Sequence, residues 1–155
     1  MKKQKMLLGS CLLVGGALIP GFASSADNCT GYDSLVAIYA ETLDLGEGHT
    51  LTAFRQASII TTDNAPIHHL TTGECSGAAL TTPDGKVYVY GYCARKDKDG
   101  DTTSITFSQA PGAAKGTWKS VAGTGKFAGK KDSGWYQDVR TDGKMTVSQW
   151  GGTCK

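Results

Sequence analysis

From Leu35 onward, apolar and polar side chains alternate in short runs divided by turn residues, and no stretch keeps the spacing of an amphipathic helix. Strands are predicted at Leu35–Leu43, His49–Thr62, Leu70–Thr82, Lys86–Arg95, Thr102–Gln109, Gly116–Ala122, Trp135–Arg140 and Lys144–Trp150. Gly46-Glu47-Gly48, Pro83-Asp84-Gly85, Asp99-Gly100 and Asp142-Gly143 are short turn sequences that suit antiparallel neighbours. About eight strands in mostly up-and-down order point to an all-β chain folded as one closed antiparallel β-barrel over residues 27–155. A barrel of that size is either filled by its own side chains or holds one small ligand.

The first 26 residues follow a different pattern. Lys2, Lys3 and Lys5 make a positive start, Met6 to Leu18 is mostly apolar and uncharged, and Pro20 and Gly21 precede the small residues Ala23, Ser24, Ser25 and Ala26. This is the layout of a secretory signal peptide, with cleavage expected after Ala26 and a periplasmic or secreted mature chain. The apolar run is shorter than the roughly 20 residues of a membrane-spanning helix, and nothing later would stop transfer, so no stable membrane insertion is expected. Leu8-Gly9-Ser10-Cys11 has some look of a lipoprotein cleavage site, but Cys11 stands at the start of the apolar core.

Export changes the charge balance. Three of the 16 basic residues lie in the signal and none of the 14 acidic ones, so the mature chain is close to neutral with a small negative excess. No basic stripe remains that would release many phosphate counterions, which argues against nucleic acid as a partner.

Cys29, Cys75, Cys93 and Cys154 survive processing, and an even count in an exported chain favours disulfides over metal ligands. Thr82-Pro83-Asp84-Gly85-Lys86 reads as a three-residue hairpin loop, and if Thr82 faces Lys86, counting back along both strands sets Cys75 opposite Cys93. The remaining pair, Cys29 with Cys154, would tie the first and last strands of a closed barrel together. A redox or metal-binding thiol set is the alternative, but no C-x-x-C spacing is present, and no metal site is expected.

Gly123-Thr124-Gly125-Lys126-Phe127-Ala128-Gly129, continuing through Lys130-Lys131-Asp132-Ser133 to Gly134-Trp135, joins two predicted strands. Its glycines allow positive φ and close packing, and Phe127 is placed to plug a barrel end. A phosphate-binding loop would need a following helix and a Lys-Ser or Lys-Thr pair, which the tract lacks. The tract resembles the G-T-G-x-F-x-G signature of bacterial allene-oxide-cyclase-like barrels, relatives in shape of plant allene oxide cyclases and dirigent proteins. The resemblance covers Gly116 to Trp135 as a motif, with Met145 to Thr153 as support. It departs from the pattern at Lys130-Lys131-Asp132, where bacterial relatives often carry an apolar residue and another glycine, and the disulfides are not general in the family. The resemblance implies a small barrel with a pocket at one end and no cofactor. Plant relatives steer the cyclisation of an unstable fatty-acid epoxide or the coupling of phenoxy radicals, and none of their catalytic residues maps one by one onto this chain.

Candidate chemistry is therefore read from the residues themselves. His68 and His69 follow Pro66 in a loop at a barrel rim, where an imidazole serves as acid, base or ligand near neutral pH, although paired loop histidines are commonly just solvated. Glu41 in the first strand and Arg55 in the second would form a polar site if both point inward, and a surface pair if both point out. Tyr88, Tyr90 and Tyr92 alternate on one face of the fourth strand, and with Tyr39, Trp118 and Trp150 they would line a cavity for a flat apolar or aromatic molecule, or simply pack. Asp97-Lys98-Asp99-Gly100-Asp101 reads as a polar hairpin turn, since its glycine comes too early for an EF-hand loop. No hydrolase elbow or zinc-protease motif is present. Three functions are compatible with this: a barrel binding a small apolar ligand, a cofactor-free cyclase or isomerase acting on a reactive apolar substrate, and an exported interaction module using its outer surface.

Overall fold

The computed structural model describes residues 28–154; the proposed signal peptide lies outside them. Eight strands follow one another: β1 (Cys29–Gly46), β2 (His49–Thr62), β3 (Thr72–Thr81), β4 (Val87–Lys96), β5 (Thr102–Gln109), β6 (Gly116–Gly123), β7 (Ser133–Asp142) and β8 (Met145–Thr153). Each pairs antiparallel with the next, and β1 pairs with β8 to close the barrel. Among the described residues the one helical element is a short 3-10 turn, Gly125–Phe127, inside the glycine tract.

The predicted β1 begins six residues too late. Its first turn of sequence, Cys29-Thr30-Gly31-Tyr32-Asp33-Ser34, looks polar and small, yet it makes the closing ladder from Cys29 opposite Gly152 to Val36 opposite Met145. The predicted β3 begins two residues too early, because Leu70 takes a left-handed backbone (φ 59°) in the loop before the strand. Between β3 and β4 the register is the one the loop chemistry implies: Thr82 N–H donates to Lys86 O at 2.9 Å, Gly85 takes φ 77°, and Cys75 lies opposite Cys93.

In an up-and-down barrel the connections alternate between the two ends. One end carries the four tight links β1–β2, β3–β4, β5–β6 and β7–β8. The other carries Asn28 and Cys154 at the two ends of the described residues, the loop from Asp63 to Thr71, the Asp97–Asp101 turn and the glycine tract. This second end is the floor. Phe127, 2% exposed, plugs it, and Cys29, Ile60, Ala65 and Trp150 form its buried apolar cluster with Trp118 and Tyr136 packed against them. The Asp97–Asp101 turn braces the plug: Lys126 Nζ pairs with Asp97, and Lys126 N–H donates to Asp101 Oδ2 at 3.1 Å. Gly125 sits against that carboxylate with φ 50°, where a Cβ would come within 1.9 Å of Asp101 Oδ1, so the tract needs glycine there.

Three bulges decide which side chains enter the barrel. The register shifts between Ala37 and Tyr39 in β1, and between Asp138 and Arg140 in β7. In β6 the partners of Ile105 and Ser104 are Ser120 and Ala122, which leaves Val121 unpaired. The skipped residues Ile38, Val121 and Val139 are all β-branched and about half exposed, and past each one the alternation of inward and outward positions reverses.

Both disulfides form, Cys29–Cys154 across the floor and Cys75–Cys93 across β3 and β4. The first spans 125 residues of sequence and the second 18. In the chain-entropy view the longer loop contributes about 4 to 5 kcal/mol and the shorter about 3. Replacing Cys29 and Cys154 together by Ser is therefore expected to lower the urea unfolding free energy more than replacing Cys75 and Cys93. Equal losses would mean that barrel closure gains nothing special from its covalent tie.

Candidate functional site

The inward positions of the strands enclose a cavity of about 300 Å³. Its floor is made by Trp150, Trp118 and His68, its middle by Phe107, Tyr136 and the Cys75–Cys93 disulfide, and it runs toward Leu35, Ala79, Val89 and Thr146 at the hairpin end. The wall is mainly apolar and aromatic. Two glycines seat its large rings. A Cβ on Gly116 would lie 2.1 Å from Tyr136 Cε1 and would displace that ring, while one on Gly31 would meet Thr61 O at 2.1 Å as well as Trp150 Cζ2 at 3.0 Å.

A polar stripe crosses this wall. Arg95, at the end of β4, reaches Asp33 on β1 at 2.5 Å through Nη2, and its Nε donates to Ser58 Oγ at 2.7 Å. Ser58 Oγ in turn donates to Asp33 Oδ1 at 2.7 Å, and Arg95 Nη2 also lies 3.4 Å from Cys75 Sγ. Arg95 is 6% and Asp33 8% exposed, so the pair is buried, and the shared serine satisfies what the two charges leave open. Beside Asp33 on the neighbouring strand, Ser148 donates to Asp138.

At the floor, His68 Nε2 lies 3.1 Å from Asp132 Oδ2, with Asp132 1% exposed. The imidazole packs on Phe127 at 5.5 Å and meets Trp150 edge-on at 6.3 Å. Burial lowers the His68 pKa below the ordinary imidazole value; Asp132 works against this by charge and hydrogen bond, and Arg95 and Lys130 lower it further. The ring is thus neutral at pH 7. Asp132 and His68 lie within 4.8 Å of Cys154, but that sulfur is held in the disulfide and is no metal ligand. Tyr136 is pushed up to about 12, by burial first and by the charge of Asp138 second, so it remains a protonated donor. Tyr136 Oη and Trp150 Nε1 are buried with no hydrogen-bond partner among the described residues.

The structure sorts the sequence-predicted residues by face. Trp118 and Trp150 are in the cavity wall, as is His68. Glu41 and Arg55 are not: the bulge at Ile38 turns Tyr39 and Glu41 outward, and Arg55 lies between the inward Phe54 and Gln56. On the outer face Tyr39 Oη donates to Glu41, and Arg55 pairs with Glu74 at 3.5 Å with both side chains about half exposed. Tyr88, Tyr90 and Tyr92 also face out, 48 to 52% exposed, because Val89 and Cys93 take the inward positions; Tyr90 Oη donates to Tyr92 Oη at 2.6 Å. His69 is exposed, and its Nδ1 accepts from Thr62 N–H at 3.2 Å, which fixes the loop. Asp33, Arg95, Asp132 and Tyr136 were not singled out by sequence. Arg95 had a readable signal, since it lies two residues beyond Cys93 and so shares its inward face.

Removing one member of the buried pair leaves the other charge uncompensated. Arg95→Met is expected to lower stability by about 3 to 5 kcal/mol, and the double change Arg95→Met with Asp33→Leu to recover much of the loss. Denaturant unfolding of the single and double variants measures this. Additive losses would show that the two residues are not coupled.

No family model matches the chain, and no curated protein is similar to it in sequence. In structure it is similar to the pterocarpan synthase dirigent protein GePTS1, with a TM-score of 0.51 and 14% identity over 79% of this chain and 83% of that one. At that identity the likeness is one of fold: the chain is an eight-stranded antiparallel barrel of dirigent-like shape.

Proposed function

We propose that this chain is an exported barrel that binds one small, flat, largely apolar or aromatic molecule in its interior. The observation that carries the reading is the cavity itself, about 300 Å³ with an aromatic wall and a few fixed polar groups, which is the composition of a small-molecule site. A small barrel can close its interior with side chains, and here small residues such as Ala79, Ser120 and Thr146 stand in the wall where larger ones would fill it. The likeness in fold to a pterocarpan synthase of dirigent type supports an interior that handles small molecules. The glycine tract supports a place nearer the bacterial allene-oxide-cyclase-like barrels. Export follows from the signal pattern, with cleavage after Ala26, and two disulfides suit an oxidising compartment. The mature protein is then periplasmic or secreted.

A second reading has one observation in its favour. Tyr88, Tyr90 and Tyr92 lie half-exposed in a row on the outer face of β4, which suits an interaction module. Filling the cavity separates the two. Ala79 faces inward on β3 opposite Val89, and Ala79→Trp would occupy the space between them. With 2-naphthol as probe and quenching of Trp118 and Trp150 as signal in the parent protein, binding to Ala79→Trp, followed by calorimetry, is expected to weaken about tenfold or more with the fold intact. Unchanged affinity would put binding on the outer surface.

A further inference from the structure

We infer that the floor of the cavity is a proton-transfer site in which His68 is the base, Asp132 positions it, and the substrates are flat, apolar molecules carrying an enolisable carbonyl group. This rests on the ligand-binding reading above and adds a reaction to it.

The inference starts from the two ring nitrogens. A carboxylate only accepts hydrogen bonds, so the contact of 3.1 Å with Asp132 Oδ2 places the imidazole hydrogen on Nε2 and the lone pair on Nδ1. Nδ1 makes no hydrogen bond with the described residues, and it belongs to a ring that lines the cavity. A histidine kept only for packing would have both nitrogens satisfied or would be replaced by an apolar side chain. Here one nitrogen is spent on a buried acid, and the other makes no hydrogen bond with the described residues on a ring that lines the cavity.

The base is also held rigidly. His68 N–H donates to Ala65 O at 2.9 Å, and His68 O accepts from Thr71 Oγ1 at 3.0 Å, while Phe127 and Trp150 fix the plane of the ring. Asp132 reaches the floor from the connection after the 3-10 turn, 64 residues away in sequence, within the segment that departs from the allene-oxide-cyclase-like pattern. A buried carboxylate behind an imidazole stabilises the imidazolium that forms when Nδ1 takes a proton. The same floor holds a donor without a partner, Trp150 Nε1, on the ring that stands edge-on to His68. An oxygen acceptor brought in by the ligand would relieve that buried group, and it would do so most strongly when the oxygen carries negative charge.

The step balances without a redox partner or cofactor. The C–H bond beside the carbonyl breaks, its proton passes to His68 Nδ1, and the electron pair forms the enolate C=C with charge on oxygen. When the hydrogen on Nδ1 is first replaced from solvent, delivery to the same carbon gives hydrogen exchange; delivery to the far end of a conjugated system gives a shifted double bond.

The test uses 2-tetralone, a flat bicyclic ketone, with the oxidised protein in D₂O. Loss of its α-proton NMR signals is followed beside its binding by calorimetry. With 2-tetralone at saturation for each protein, the parent is expected to exceed His68→Gln by about 100-fold in exchange rate. The catalysed rate should follow neutral imidazole and reach half its plateau below about pH 6.5, the ordinary histidine value, since burial lowers the His68 pKa. This profile is read on the parent protein and holds as a test even if the variants fold poorly. Asp132→Asn should cut the exchange rate and alter the pH profile at unchanged binding, because an amide can donate to Nε2 and move the hydrogen to Nδ1. Binding without exchange above buffer would overturn the proton-transfer site and leave the binding reading standing, as would exchange that survives His68→Gln. Neither binding nor exchange would remove both.

Discussion

The pairing of β1 with β8 turns an eight-stranded meander with two free edges into a barrel with an inside, and every feature of the candidate site depends on that closure. The ladder from Cys29 opposite Gly152 to Val36 opposite Met145 puts Asp33 on the inner wall, across the interior from β4, where Arg95 meets it. It also sets Gly31 opposite Trp150 and so gives the indole its seat on the floor. The Cys29–Cys154 bridge ties the same seam covalently. An open sheet of these strands would leave an arginine, an aspartate and two aromatic donors facing water, where none of them would define a site.

Closure sets a second condition, that the floor be shut. Phe127 does this from a tract whose glycine conformation is dictated by Asp101, and the turn that carries Asp101 also holds Lys126. The lysine in the tract, which is a poor plug by itself, is thereby part of the brace. The consequence for function is that the plug segment delivers Asp132 to His68. The piece of chain that closes the barrel also places the buried acid at the end of the cavity.

How much of this was legible in the sequence depended on the range of the interaction. Hairpin register was legible because turn chemistry is local: Pro83-Asp84-Gly85 sets Cys75 against Cys93, and that bridge forms. Closure was legible through the leftover cysteines. The start of β1 was not, because its inward residues are Cys29, Gly31 and Asp33, a set with no hydrophobic alternation. The face of Glu41 was hidden for a different reason. One skipped residue, Ile38, reverses the alternation, and nothing in its neighbours announces a bulge. The tyrosine stripe on β4 was seen correctly as one face, but the choice of face followed from the inward cysteine and glycine, which small residues signal weakly. Asp132 and His68 meet only through the folded tract, so His68 was visible as a candidate and its partner was not.

Native mass spectrometry of the mature, oxidised protein, purified from cells carrying its full-length sequence, tests most directly whether the barrel is a container. One non-covalently bound apolar molecule per chain, released by organic solvent, is the expected result. The mass of the bare polypeptide with two disulfides, unchanged after exposure to 2-naphthol, would contradict an interior that binds ligand.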